Sequence, residues 1–146
     1  MKRILFLMVA FFCVIIASAQ KIEFKKDNIY LNNKKIHAYE CNERDFIEQF
    51  GHPDQRLVQT FIEMKYNKKG MEVYFDSRSK EFEHMYIYFQ PFKQIAAFTG
   101  EFIINGNKIT RFTSAQELIK MKGIKLVGEP ESGNRYNDYE IESGDI

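Results

Sequence analysis

The chain has 146 residues, of which 45% are hydrophobic, and its 21 basic and 20 acidic side chains leave a formal net charge of +1. This balance argues against nucleic-acid binding, which depends on a basic surface, and against strong electrostatic attraction to anionic lipid. The length and the hydrophobic share suffice for one domain with a real core.

The first 19 residues have the pattern of a secretory signal peptide. Basic residues precede an apolar run over 4–16, and small residues follow it. The run is shorter than the roughly 20 apolar residues of a membrane-spanning helix, and Cys13 lacks the small preceding residues that lipid attachment requires. We expect cleavage after Ala19 and a periplasmic or extracellular protein that is neither a lipoprotein nor otherwise stably anchored.

Residues 20–146 are predicted to form one α+β domain, an antiparallel sheet with two short helices. A short pattern occurs twice, over 29–39 and 102–112, as an apolar strand, an Asn-led turn and a second strand. Each copy precedes a capped helix, so we interpret 20–99 as a hairpin-helix-meander unit and 100–146 as a shortened second copy. The alternative is an accidental likeness, since asparagine turns between apolar strands are common.

The first helix is predicted to begin at Asn42, an N-cap residue with Asp45 in the first turn, and to end at Gly51. The next segment predicts an antiparallel meander with strands over 60–66, 71–76 and 82–89. Alternation gives it one apolar face, which should bury against a helix. The opposite face carries Phe61, Glu63, Lys65, Glu72, Tyr74, His84, Tyr86 and Tyr88.

After the second hairpin, residues Thr113 to Gln116 predict a capping box for a helix that ends at Gly123. A strand over 124–127 follows, and the last strand is predicted over 136–142. The remaining chain is too short for a second full meander.

Chemical signatures of catalysis and metal binding are weak. The histidines and Cys41 lack the spacing of a zinc site, and the serines lie outside any nucleophile elbow. Cys41 is interpreted as a part-buried thiol beside a helix N-terminus, which would lower its pKa. We therefore expect no cofactor and no enzymatic activity.

Tyr74, Tyr86 and Tyr88 can align beside His84 on the polar face of the meander. Tyrosine provides a large contact area at little entropic cost and is enriched at interfaces. The alternative is that a second helix covers this face and leaves the tyrosine hydroxyls at the rim of a core. The charged residues on the same face favour exposure, because unpaired charges are seldom buried.

The segment 42–89 resembles the helix, Gly-x-Pro and three-strand unit of the β-lactamase inhibitor protein fold. The likeness rests on Phe50-Gly51-His52-Pro53 and on Gly70-Met71-Glu72-Val73-Tyr74-Phe75-Asp76. Small envelope-assembly lipoproteins share that unit, and these relatives are non-enzymatic binders. The resemblance implies protein binding through the open sheet face.

The mature chain is also similar to a family of uncharacterised secreted proteins from Bacteroidetes-type bacteria. The stretches 70–89 and 102–119, with an Asn-Gly hairpin before a Thr-capped helix, carry this likeness. It implies no function.

The leading hypothesis is a secreted, non-enzymatic protein-binding or inhibitor-like module with a protein partner and an undetermined oligomeric state. The second is a structural, envelope-assembly or immunity-type protein that self-associates through an edge strand near the shortened unit. The third and least favoured is a small hydrolase that uses Cys41 or His84.

Overall fold

A computed structural model describes residues 20–121, 124–127 and 140–143. The predicted signal peptide, Gly123 and positions 136–139 of the predicted last strand lie outside these ranges. Among the described residues, no helix is long and apolar enough to cross a membrane.

The protein is mainly β, so the expectation of an α+β fold is wrong. Its elements, in chain order, are β1 (Lys21–Lys25), β2 (Asn28–Leu31), β3 (Lys34–His37), α1 (Glu43–Phe50), β4 (Gln55–Val58), β5 (Phe61–Tyr66), β6 (Met71–Asp76), β7 (Phe82–Ile87), β8 (Glu101–Ile104), β9 (Asn107–Ile109), α2 (Ala115–Lys120), β10 (Ile124–Val127) and β11 (Glu140–Ser143). A five-stranded sheet has the order β3-β2-β1-β8-β9, and a four-stranded sheet has the order β4-β5-β6-β7. The two α-helices are short, which is why the strands dominate.

Both predicted hairpins are confirmed as β2-β3 and β8-β9. Their turns use the same backbone conformation, with φ of 48° and 71° at Asn32 and Asn33 and of 48° and 82° at Asn105 and Gly106. Positive φ at both central residues matches the right-handed twist of the flanking strands, and asparagine and glycine tolerate it best.

Strand β1, which the sequence did not reveal, joins the two hairpins. It pairs antiparallel with β2 and parallel with β8. The turn asparagines fasten its opposite ends. Asn32 exchanges hydrogen bonds of 2.8 and 2.9 Å with Lys21, whereas the Asn105 amide donates to the Phe24 carbonyl at 2.7 Å. The recurrent hairpin therefore builds a single sheet around β1.

The meander strands are confirmed as β5, β6 and β7, and β4 adds an unpredicted edge strand beside β5. The apolar face of the meander packs on α1, as expected. Phe46 lies 5.7 Å from Phe75 and 6.1 Å from Phe82 between ring centroids, and Phe50 lies 6.4 Å from Tyr66.

One hydrophobic cluster includes residues of both large sheets, α1 and α2. Ile22 and Leu31 enter it from the five-stranded sheet, Val73 from the four-stranded sheet and Leu118 from α2. The two sheets thus share a core, and the outer face of the meander is left on the far side from α1.

The predicted N-cap residue is confirmed for α1, whereas for α2 the prediction lies one residue before the N-cap that the structure shows. Asn42 and Asp45 form a capping box at α1, and Gly51 follows its last residue. At α2, Ser114 and Glu117 form the capping box, while Thr113 Oγ1 accepts a hydrogen bond from the Thr110 amide at 2.9 Å. The α2 helix ends at Lys120, and β10 pairs antiparallel with β11.

Candidate binding face

The four predicted binding residues lie on the outer face of the meander, and the strand register brings three of them together. One row across the sheet is Leu57, Glu63, Tyr74 and His84, and the next is Gln55, Lys65, Glu72 and Tyr86. Tyr88 follows β7, and its amide donates to the Gly70 carbonyl at 2.9 Å. We call this surface the aromatic face.

Four rings of the aromatic face are in contact. Tyr74 stacks on His84 with centroids 4.5 Å apart and planes 11° apart, and Tyr86 meets Tyr74 edge-on at 5.6 Å. Phe61 meets His84 edge-on at 6.0 Å. Stacked and edge-to-face pairs at these distances are favourable beyond their burial. The four rings therefore pack on one another as a single surface cluster.

A hydrogen-bond network beneath the rings fixes two of the tyrosines. The Tyr74 hydroxyl donates to Glu63 at 2.5 Å and lies 3.2 Å from Glu72, and the Tyr88 hydroxyl donates to Glu72 at 3.0 Å. The Lys65 ammonium lies 3.1 Å from Glu63 and 3.5 Å from Glu72. Glu72 is only 6% exposed, and these donors satisfy a carboxylate that would otherwise be costly to bury.

Electrostatics in this network favour one protonation state. Burial, and then the hydrogen bond to Glu63, raise the pKa of Tyr74, so its hydroxyl remains a donor. The hydrogen bond to Glu63 raises the pKa of Lys65, so the ammonium keeps its charge. The polar layer under the aromatic rings is thus a fixed set of donors and acceptors.

The side chains of the aromatic face differ in how much of their surface is exposed to solvent. Tyr86 exposes 51% of its surface and Phe61 37%, whereas Tyr74, His84 and Tyr88 are half-buried. Since α1 packs on the other face and Tyr86 is open, the structure favours the exposed alternative over a helix-covered face. Tyr74 and Tyr88 form the half-buried layer of the aromatic face, and Tyr86 and Phe61 are the rings most accessible to a partner.

A shallow groove of about 280 Å³ borders the aromatic face on the side of β4. Leu57, Gln59, Thr60, Phe61, Glu63 and Tyr74 line it. Leu57, Gln59 and Thr60 were not predicted as binding residues. Leu57 lies in β4, a four-residue strand without alternation, and Gln59 and Thr60 connect β4 to β5. The one cue for β4 is the pair Leu57-Val58 next to two polar residues.

Cys41 differs from expectation. It is fully buried, and desolvation, together with the nearby charge of Asp45, raises its pKa to about 12. The prediction of a part-buried thiol with a lowered pKa is wrong, because burial outweighs the helix N-terminus. Within the described ranges, no three His, Cys, Asp or Glu side chains are grouped as a metal site would require.

Comparison with protein families places most of the chain in one of them. A family model described as a domain of unknown function, DUF7738, matches residues 21–118. The chain belongs to the DUF7738 family. The DUF7738 match runs from the start of β1 to Leu118 in α2, so it contains both hairpins and the whole aromatic face. Comparisons with curated proteins and with solved structures gave no match.

Proposed function

We propose that this protein is an exported, non-enzymatic binding module that holds a protein partner on its aromatic face. The observation that carries the proposal is the packed ring cluster around Tyr74, with the half-exposed Tyr86 beside it on the edge strand β7. Exposed aromatic side chains held in one rotamer lose little entropy on binding and are typical interface anchors.

The buried state of Cys41 is a further argument for a binding role over a hydrolase. A thiol with a pKa of about 12 is protonated at neutral pH and is a poor nucleophile. His84, the other residue considered for catalysis, has its ring stacked between Tyr74 and neighbouring aromatic edges, which suits contact with a surface.

A retention experiment tests this role. The purified protein, immobilised, would be exposed to envelope and culture-fluid fractions of the producing cell, and the retained proteins would be compared for wild type and Tyr86→Ala. Tyr39→Ala is the matched control, since Tyr39 is a tyrosine with 71% exposure elsewhere on the surface. We expect Tyr86→Ala alone to lose specific partners. Equal retention by all three proteins would contradict the proposal.

Self-association is a second candidate function, and the edge strand β4 favours it. All four of its residues are exposed, including Leu57 at 37% and Val58 at 54%. Exposed apolar edge strands are templates for pairing with another chain. This edge lies in the meander and not near the second hairpin unit, where the sequence reasoning looked for it. Sedimentation velocity over a concentration series tests this candidate, and a strictly monomeric protein would exclude it.

Export rests on the predicted signal peptide, and the finer family resemblances also remain proposals. The inhibitor-type resemblance over 42–89 is proposed on the order of a helix followed by antiparallel strands, to which β4 is an addition. Membership of a family of unknown function supports the uncharacterised-family part of the second resemblance, and a Bacteroidetes-type source remains a proposal. The intact mass of the exported protein tests cleavage, since it should begin at Gln20.

A further inference from the structure

We propose that the partner inserts an arginine side chain into the groove beside Tyr74, which rests on the proposed binding function and specifies its partner. The groove is bordered by the rings of Phe61 and Tyr74, with Glu63 between β4 and β6. Its volume of about 280 Å³ is at the lower limit of ligand pockets, roughly 300 Å³. It therefore fits one side chain better than a cofactor-sized molecule.

The charge around this groove selects a cation. The outward-facing residues of β5 and β6 next to the groove include two carboxylates, Glu63 and Glu72, and one ammonium, Lys65. The carboxylate of Asp76 is bound within its own turn beside Arg78. Glu63 uses its Oε1 atom for both the Tyr74 hydroxyl and the Lys65 ammonium. The face thus has an excess of negative charge close to aromatic rings, although the whole chain is nearly neutral.

Arginine fits this combination better than lysine. Its guanidinium is planar and weakly hydrated, stacks on aromatic rings and donates in parallel to a carboxylate. The ammonium of lysine holds its water more strongly and gains less from ring faces. Leu57, which lines the groove and is 37% exposed, can cover the methylene stem of the arginine.

The inference can be tested without the partner by titrating the 15N-labelled protein with N-acetyl-arginine amide and following amide chemical shifts. N-acetyl-citrulline amide, which has the same length but a neutral head group, is the matched probe. We expect saturable shifts in 57–63 and 72–75, and binding about fivefold weaker for citrulline. Equal shifts with both probes, shifts located elsewhere or no shifts would overturn the arginine assignment.

Variants separate the groove from the rest of the surface. Glu63→Gln keeps an acceptor for the Tyr74 hydroxyl and should reduce arginine binding to the citrulline level, whereas Glu81→Gln, at an exposed carboxylate in another loop, should not. Phe61→Leu keeps an apolar side chain but removes the ring, so it should also weaken arginine binding. Unchanged arginine binding in both Glu63→Gln and Phe61→Leu would refute the assignment. If Tyr86→Ala loses the partner while Glu63→Gln retains it, the binding function stands and the arginine inference fails.

Discussion

Single residues show how burial decides chemistry in this protein. Glu72 and Tyr66 are both polar and nearly inaccessible. Glu72 accepts a hydrogen bond from the Tyr88 hydroxyl and lies near the Lys65 ammonium, whereas the Tyr66 hydroxyl has no hydrogen-bond partner among the described residues. The sequence reveals the polar face from its alternation, but it cannot show which hydroxyl finds an acceptor, because that depends on side chains from other strands. The wrong prediction of a lowered pKa for Cys41 has the same origin. The sequence shows that Cys41 lies beside a helix N-terminus, but it does not show that the thiol is buried.

Replacing Tyr66 by phenylalanine should leave stability unchanged or raise it by up to about 1 kcal/mol. The change removes a buried hydroxyl that gains no hydrogen bond within the described ranges and keeps the ring against Phe50. Urea unfolding of the two proteins measures the difference. Tyr74→Phe is the control and should lose about 1–2 kcal/mol, since it leaves buried carboxylate contacts unmade. An equal loss in both variants would show that Tyr66 has a partner.

Stability should fall in alkaline solution because of Cys41. Burial raises its pKa from 9.0 to about 12, so the unfolded chain releases the thiol proton first. The stabilisation is complete below about pH 9 and declines by about 1.4 kcal/mol per pH unit as pH rises from there toward the folded pKa. Urea unfolding at about pH 8 and pH 10 should show a decline about 1.4 kcal/mol larger in wild type than in Cys41→Ala. Parallel declines would show that the thiol is not protected.

The sequence predicts a secondary-structure element well where nearby residues determine its turn or its helix cap. The hairpins and α1 could be located because asparagine, glycine and the capping residues impose local conformations. Strands β1 and β4 were missed for different reasons. Strand β1 pairs with β8 eighty positions away, whereas β4 is a four-residue edge strand without alternation, although its partner β5 follows directly. Without β1 and β4, the predicted strand content was too low relative to the two helices. The fold was therefore assigned as α+β instead of mainly β.

The Asn32 turn should contribute measurably to the five-stranded sheet. Asn32→Ala places alanine, which tolerates positive φ less well than asparagine, at φ 48°. It also removes the side-chain hydrogen bonds to Lys21 and Gln49, so we expect a loss of about 2 kcal/mol. Asn32→Gly relieves the strained φ but loses the same hydrogen bonds, and it should cost about 1 kcal/mol. Thermal or urea unfolding distinguishes them, and identical losses would assign the whole effect to the hydrogen bonds.

At the scale of the whole molecule, two sheets and α1 share a core and leave one sheet face carrying an ordered set of rings. The sequence predicted the residues of that face, since alternation in the meander sets which side chains point outward. It could not predict the groove, because β4 completes it. The family match covers this whole arrangement, so the binding proposal concerns a feature within the DUF7738 region.

The most direct test of the binding role is site-specific photo-crosslinking in the producing cell. A benzophenone amino acid at position 86 would sit at an exposed position of the aromatic face on strand β7, and the same group at position 39 would sit at a still more exposed position elsewhere. The proposal predicts a discrete cross-linked partner from position 86 and none of the same mass from position 39. The same products from both positions, or no product from position 86, would contradict it.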